Sequence, residues 1–346
     1  MTRSAVRILR GHLTANRGAN IAKALGSYLL SRLLRRPLVF GQPFMLMVEP
    51  TNLCNLKCPL CPAGSETLSR PQGKMALKQF TRLIDGSSEH LLHLTLWNVG
   101  EPFLNDSLIE MIRYAKSKNI YVITSTNGHF LTEKGRVREL ILSGLDELIL
   151  SMDGASPETY NRYRRKGQFQ KVVDGLRLLT EEKEDLGTKN PIVDLQFILM
   201  RHNEHETEQM VSLAQRLKVD RLTLKTVQVT SGQEADQFLP TRRELRRYLF
   251  DNGGLRMKGR PKNDCRWLWF CPVINWDGTV VPCCFDKDNR FPLGNVFQAA
   301  PLKDIWRSEK YNALRRKILA ARGEIALCHN CSEGLKGLYL KRARLR

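Results

Sequence analysis

The chain has 346 residues, 42% apolar and 26% charged, enough for about two domains with real cores, which excludes a disordered tail. No apolar run reaches the ~18 residues of a membrane span, and the N-terminus lacks the apolar segment and cleavage site of a secretory signal. Fifty-five Lys and Arg against 35 Asp and Glu leave +20, a surplus that suits nucleic acid, an anionic membrane face or an anionic substrate.

Residues 1–48 hold eight bases and no acid; the first acid is Glu49. Within them, residues 20–36 read as an amphipathic helix. Ile21, Leu25, Tyr28, Leu29 and Leu33 recur at helical spacing, with Lys23, Arg32, Arg35 and Arg36 around them and Pro37 ending the run. Two roles fit it. It is a lid on the base of a barrel, apolar face inward, or a basic helix lying on an anionic membrane. An Arg-rich, acid-poor start is also the composition of an organelle transit peptide.

From residue 45 the pattern changes. Strands are expected at 45–49, 92–97, 120–124, 147–151, 192–200 and 221–226. Helices fall between them, one ending at Asp85 and others over 108–117, 135–142, 172–182 and 207–217. Such alternation implies βαβ units and a parallel sheet. Six units over residues 45–226 suit an α/β fold of the partial TIM barrel kind, two units short of the usual eight; an open doubly wound sheet is the alternative. Residues 227–264 are polar and irregular, a connector. Residues 265–337 are rich in Cys, Trp and turns and form a small second domain, and residues 338–346 are a basic tail. Residues 1–44 are expected as a basic amphipathic N-terminal segment, and the plain reading of the two basic ends, 1–48 and 336–346, is a solvated arm at each.

The nine cysteines fall at 54, 58 and 61, and at 265, 271, 283, 284, 328 and 331. Two clusters so far apart, in a long chain without a secretion signal, indicate two metal sites rather than a disulfide framework.

Cys54-x3-Cys58-x2-Cys61 follows the first strand, where a barrel places active-site loops. Three thiolates on a cubane iron–sulfur cluster leave one iron open. Zinc needs a fourth ligand, and residues 38–89 hold no other Cys and no His. This motif in this place resembles the radical S-adenosylmethionine (radical SAM) enzymes. The resemblance implies that a [4Fe-4S] cluster binds and cleaves SAM, giving methionine and a 5′-deoxyadenosyl radical that takes a hydrogen atom from a substrate. Asn98-Val99-Gly100-Glu101-Pro102 is similar to the family's Gly-Gly-Glu element, with Val99 in place of the first glycine. It implies that Gly100 and Glu101 bind the SAM ammonium. Ser125 and Asn127 after the third strand, and Ser151 and Asp153 after the fourth, would then bond the ribose or methionine parts of SAM. Arg164 would pair with the SAM carboxylate. The plain alternatives are turns at Asn127-Gly128 and Asp153-Gly154, a surface helix start at Glu101 and a solvated Arg164.

Cys265, Cys283, Cys328 and Cys331 make a second set. A hairpin turning at Asp277-Gly278 returns Cys283 beside Cys265, and the C-x2-C pair closes the group. Four thiolates complete a cluster. The segment resembles the SPASM extension, or its shorter single-cluster form called twitch, as do Gly294-Asn295-Val296 and Asp304-Ile305-Trp306. One auxiliary [4Fe-4S] cluster is implied. Cys271 and Cys284 are left over, with Cys284 placed to exchange with Cys283; a zinc knuckle is the structural alternative.

The expected function is radical SAM oxidation or other modification of a polar small molecule or a membrane-proximal lipid or glycan precursor. Ribosomal peptide maturation is the alternative, disfavoured by the short stretch before the first strand. A zinc-bearing nucleic-acid-binding protein is the reading of another class, but the basic ends carry no recognition motif, so no nucleic acid is expected. Expected partners are a small-molecule or lipid-linked substrate, an electron donor such as flavodoxin or ferredoxin, and an anionic membrane surface. The expected place is the cytoplasm, peripheral to the inner membrane face.

Overall fold

The computed structural model describes residues 8, 11–251, 254–259, 261–298, 300–335 and 339–345. The chain divides into two compact units.

The first unit joins Met1–Leu53, Leu68–Ile123 and Pro261–Cys331. Its helix α1 (Ala15–Leu34) starts ahead of the expected residue 20 because Thr14 caps it, the hydroxyl accepting from Arg17 N–H at 3.3 Å. It ends at Arg35, which lies in the left-handed region just before Pro37. Strand β1 (Met45–Val48), helix α2 (Leu77–Asp85), β2 (His93–Leu96), α3 (Leu108–Ser117) and β3 (Tyr121–Thr126) follow. β1 pairs in parallel with β2 and, on its other edge, with β9 (Val273–Ile274). β9 turns back into β10 (Thr279–Val281), which pairs with β11 (Gly294–Asn295). The order is β11-β10-β9-β1-β2-β3.

One expectation about α1 is corrected. Its leucines are not the buried face. Arg17, Asn20, Ala24, Ser27, Tyr28 and Ser31 are buried instead. Arg17 donates to the carbonyls of Ser88 (3.0 Å), Lys118 (2.8 Å) and Asn119 (2.5 Å). Asn20 exchanges two bonds with the Gln42 backbone, at 3.1 and 2.8 Å, and the Tyr28 ring meets Trp269 at 5.7 Å. The reason is backbone satisfaction: carbonyls at a helix C-terminus need donors, and Arg17 supplies them to the end of α3. The small residues Ala24 and Ser27 let the following chain lie close, so that a Cβ on Gly41 would fall 2.9 Å from Ala24 N.

The second unit joins Cys54–Thr67, Thr124–Arg260 and Ser332–Arg346, and β3 runs into it. It holds α4 (Lys134–Leu142), β4 (Glu147–Ser151), α5 (Pro157–Tyr163), α6 (Phe169–Asp185), β5 (Ile192–Leu199), α7 (Thr207–Arg216) and β6 (Arg221–Thr226). β4, β5 and β6 are parallel, in a register that sets Ser151 beside Gln196 and Gln196 beside Thr223. Alternation does the sorting. Leu148, Leu150, Val193, Leu195 and Phe197 are buried together on one face. The other face is polar: Arg221 pairs with Glu147 (2.6 Å) and Asp194 (2.9 Å), and Thr223 donates to Asp194 (2.7 Å).

Helix α5 was not expected; Ser156 caps it and Pro157 opens it. The segment read as a connector is partly regular, with α8 (Gly232–Phe238) and a hairpin of β7 (Tyr248–Asp251) and β8 (Gly254–Met257). The basic tail is not a solvated arm. Its β12 (Tyr339–Arg344) pairs antiparallel with β6, because an open parallel edge strand leaves unpaired backbone groups. Residues 1–7, 9, 10, 336–338 and 346, also within the basic ends, lie outside the described residues.

Candidate functional site

The loop bearing Cys54, Cys58 and Cys61 belongs to the second unit. Leu56 and Cys58 are buried against Tyr163, Met200, Val227 and Val229. The Leu56 N–H points at Cys54 Sγ, 3.5 Å away, and the Lys57 N–H donates to Arg165 O at 2.9 Å. The chain doubles back at Gly64. A Cβ there would fall 2.5 Å from Cys58 N and 2.6 Å from Cys58 O, so the position requires glycine.

Arg164 Nη1 lies 3.9 Å from Cys58 Sγ. The same guanidinium grips Asp153 Oδ2 through Nε (2.7 Å) and Nη2 (2.5 Å). Asp153 is fully buried, and its Oδ1 accepts from Ile198 N–H at 2.8 Å. Burial pushes the Cys58 thiol up, and Arg164 pulls it back toward thiolate. Burial also opposes the Arg164 charge, but Asp153 and then Cys58 hold its pKa well above the usual arginine value. The turn after Asp153 is pinned by Glu206, which accepts from Ala155 N–H (2.9 Å), the Ser156 hydroxyl (2.9 Å) and the Thr159 hydroxyl (2.6 Å). A Cβ on Gly154 would come within 2.1 Å of Tyr160 N.

Asn127 is tied to the same cysteine loop. Its Nδ2 donates to Asn55 Oδ1 at 2.7 Å. His129 Nε2 accepts from Gln168 N–H at 2.8 Å, which leaves the proton on Nδ1, 3.0 Å from Asn127 Oδ1. Burial lowers the His129 pKa, favouring this neutral form. Ser125 in β3 and Ser151 at the end of β4 are half-buried. The second unit thus brings Cys58, Asp153 and Arg164 together, and joins Asn127 to the cysteine loop. Asn55, His129 and Glu206 were not singled out from sequence. Asn55 had a signal, since it lies between the cysteines; Glu206 had none.

Gly100 and Glu101 belong to the first unit. Gly100 has φ +81°, and a Cβ there would meet Leu53 O at 2.6 Å. The Glu101 N–H donates to that same Leu53 O at 2.7 Å. Glu101 does start a helical turn, Pro102–Leu104, which it caps by accepting from Phe103 N–H at 3.3 Å, but it is buried rather than on the surface. Nearby, Glu49 is fully buried against Arg70, at 2.7 and 2.5 Å, and burial raises its pKa against the pull of Arg70.

The second cysteine set also lies in the first unit. The hairpin turns as expected, with Gly278 at φ +85° and its N–H on Asn275 O at 2.9 Å. Burial pushes the Cys283 thiol well up, and the neighbouring Cys284, Cys265 and Cys331 add to it. Arg322 is buried with Nη2 3.4 Å from Cys331 Sγ, and the thiols of Cys265, Cys331 and Cys328 favour its charge against burial. Nothing in the sequence marked Arg322. Cys271 packs with Met47, Val273 and Val281, and Cys284 lies against that cluster.

Among the described residues no group of three or more His, Cys, Asp and Glu has the geometry to hold a single metal ion. The donor chemistry fits an iron–sulfur cluster at each set. Thiolate sulfurs need positive charge and N–H donors, and the sets supply Arg164 and Leu56 N–H in one unit and Arg322 in the other.

Residues 48–214 match the radical SAM superfamily, and residues 265–332 match SPASM, an iron–sulfur cluster-binding domain. The chain is 25% identical over 301 residues to the tungsten-containing aldehyde ferredoxin oxidoreductase cofactor-modifying protein of Pyrococcus furiosus, covering 78% of this chain and 82% of that one. It is 29% identical over 207 residues to the PqqA peptide cyclase of Rhizobium meliloti, 59% of this chain and 52% of that one. It is 24% identical over 306 residues to the mycofactocin maturase MftC of Mycolicibacterium smegmatis, 79% and 72%. Among solved structures, Streptococcus suis SuiB bound to S-adenosylmethionine superposes with a TM-score of 0.60 at 13% identity, covering 95% of this chain and 82% of that one. BtrN in complex with AdoMet and 2-DOIA gives 0.52 at 19% identity, covering 86% and 95%. At these identities the likeness shows the fold, the α/β partial barrel expected from the strand–helix alternation. SAM and iron–sulfur clusters are the cofactors of the two matched domains. The chain therefore belongs to the radical SAM superfamily and carries a C-terminal SPASM domain.

Proposed function

We propose that this enzyme modifies a ribosomally made peptide by hydrogen-atom abstraction. The observation that carries the reading is the likeness to MftC, a maturase, over 306 residues that make up 79% of this chain. The shorter likeness to a peptide cyclase points the same way. The small-molecule or lipid substrate expected from sequence has less behind it and becomes the other outcome of the test.

Cys54, Cys58 and Cys61 hold the SAM-binding [4Fe-4S] cluster in this reading. That cluster, when bound and reduced, supplies the electron that splits SAM into methionine and the 5′-deoxyadenosyl radical. Arg164 offsets the negative charge of the thiolates, and Asp153 aims it. Asn127 holds the cysteine loop through Asn55, with its own orientation fixed by His129. Ser125 and Ser151 keep the SAM-binding roles that the family resemblance gives them. Cys265, Cys283, Cys328 and Cys331 hold one auxiliary cluster, with Arg322 beside them.

The test is an anaerobic reaction with reconstituted enzyme, dithionite, SAM and each short peptide encoded beside the gene. Formation of 5′-deoxyadenosine together with a changed peptide mass supports the reading. SAM cleavage that leaves every peptide unchanged, but is stimulated by a small-molecule or lipid extract, overturns it.

A further inference from the structure

We propose that the outward face of α1 docks this protein on an anionic lipid bilayer. Leu25, Leu29 and Leu33 stand four residues apart on α1, one above another on a single face. They are 43%, 59% and 77% exposed, and Leu30 and Leu34 beside them are also exposed. Large apolar side chains grouped this way on a surface mark a contact face. Among the described residues nothing covers this face, because α1 uses its other side to pack: the buried residues are Arg17, Asn20, Ala24, Ser27, Tyr28 and Ser31.

Charge selects the occupant. At helical spacing, Arg32 falls along one edge of the leucine stripe and Lys23 along the other, and Arg36 follows just past the end of the helix; all three are exposed. Residues 1–48 contain no acid at all. Beside the stripe opens a cleft of about 500 Å³ with Leu29 and Leu33 on one wall. Arg32, Arg35 and Lys262 face it together with a single carboxylate, Asp264, already paired with Arg32 at 2.8 Å. Apolar side chains rimmed by cations are the chemistry of a helix lying in the headgroup region, with phosphates at the basic edge and acyl chains over the leucines. A protein partner needs acids to meet these cations, and a second copy of this face carries the same cations and repels. No helix among the described residues is long and apolar enough to cross a membrane, so the contact is peripheral. This inference does not rest on the substrate class.

The test is co-sedimentation of the full-length protein with vesicles of phosphatidylglycerol and phosphatidylcholine, or of phosphatidylcholine alone, at low and high salt. The expected result is binding to the anionic vesicles only, weakened by salt. Leu25→Ser, Leu29→Ser and Leu33→Ser combined should abolish it. Lys23→Glu with Arg36→Glu should weaken it about tenfold or more. Unchanged thermal melting and unchanged 5′-deoxyadenosine formation in solution separate lost docking from lost folding or lost chemistry. Protein that stays in the supernatant with anionic vesicles at low salt overturns the proposal. So does equal binding by the triple serine variant. A concentration-dependent dimer that the triple serine variant abolishes, without vesicle binding, overturns it in favour of self-association.

Discussion

Arg164 stands between Cys58 and Asp153, 3.9 Å from the sulfur and 2.5 Å from the carboxylate. The carboxylate is fully buried, so the guanidinium is its counter-ion as well as the neighbour of the thiol. A lysine carries the charge but cannot make the forked contact. We expect Arg164→Lys to lower 5′-deoxyadenosine formation roughly 10- to 100-fold, the usual scale for losing a partner of a metal ligand. Arg164→Met should do more, since it leaves Asp153 buried and unpaired. Iron content and SAM cleavage, measured on the same preparations, check this; full activity in Arg164→Met would sink the assignment.

The two cysteine sets should load independently. Wild type should bind about eight irons per chain, four for each cubane. The variant with Cys54, Cys58 and Cys61 all changed to Ala should keep about half and lose SAM cleavage entirely. Metal analysis decides: zinc in place of the remaining iron would make the second set a structural site.

Arg322 should matter to the second set alone. Its Nη2 lies 3.4 Å from Cys331 Sγ, and its backbone N–H bonds Asn263 Oδ1 at 3.1 Å, a contact that survives substitution. Arg322→Lys should retain the auxiliary cluster and Arg322→Gln should lose it or shift its potential. The SAM-binding cluster should be unchanged in both. Electron paramagnetic resonance of the reduced proteins distinguishes the two clusters, and an unaltered auxiliary signal in Arg322→Gln argues against the role.

Gly64→Ala should destabilise the cysteine loop. The added Cβ would sit 2.5 Å from the Cys58 backbone nitrogen, and backbone on both sides has little room to give. The expected cost is about 1–3 kcal/mol, seen as a lower melting temperature and less iron. Gly135→Ala, where nothing lies within 4 Å, is the control and should be silent or mildly stabilising.

Stability should fall on mild acidification, through His93. Its ring stacks on Tyr121 at 5.8 Å, and burial pushes its pKa down from 6.5 to about 4. The unfolded chain therefore binds a proton that the folded one refuses. The contribution is complete above pH ~6.5, is lost as pH falls toward ~4, and amounts to at most about 3 kcal/mol. His93→Phe keeps a ring on Tyr121 and should flatten the melting temperature between those two pH values. A slope equal to wild type would show that other groups carry it.

Composition and spacing alone determined a good deal. The three cysteines at residues 54–61 lie close in sequence, so their association needs no knowledge of the fold. Strand and helix positions were legible because apolar periodicity is local; α3, β4 and β6 fall where the pattern put them. The hairpin at Asp277-Gly278 was legible for the same reason, since a turn is a property of a few adjacent residues. What only tertiary structure decided are the long-range choices. Helix α1 has an obvious apolar stripe, yet the unit it covers offered carbonyls that needed Arg17 and Asn20, so hydrogen-bond satisfaction set the packing face and left the leucines outside. Arg322 meets Cys331 across a short stretch of chain, but no periodicity marks a guanidinium as the partner of a sulfur. Arg164 and Asp153 were both singled out as ligands of a small molecule; their mutual ion pair required two loops to meet, which sequence spacing cannot report. The tail looked solvated because its charge is local information, while the open edge of β6 that takes it up as a strand exists only once the sheet has formed.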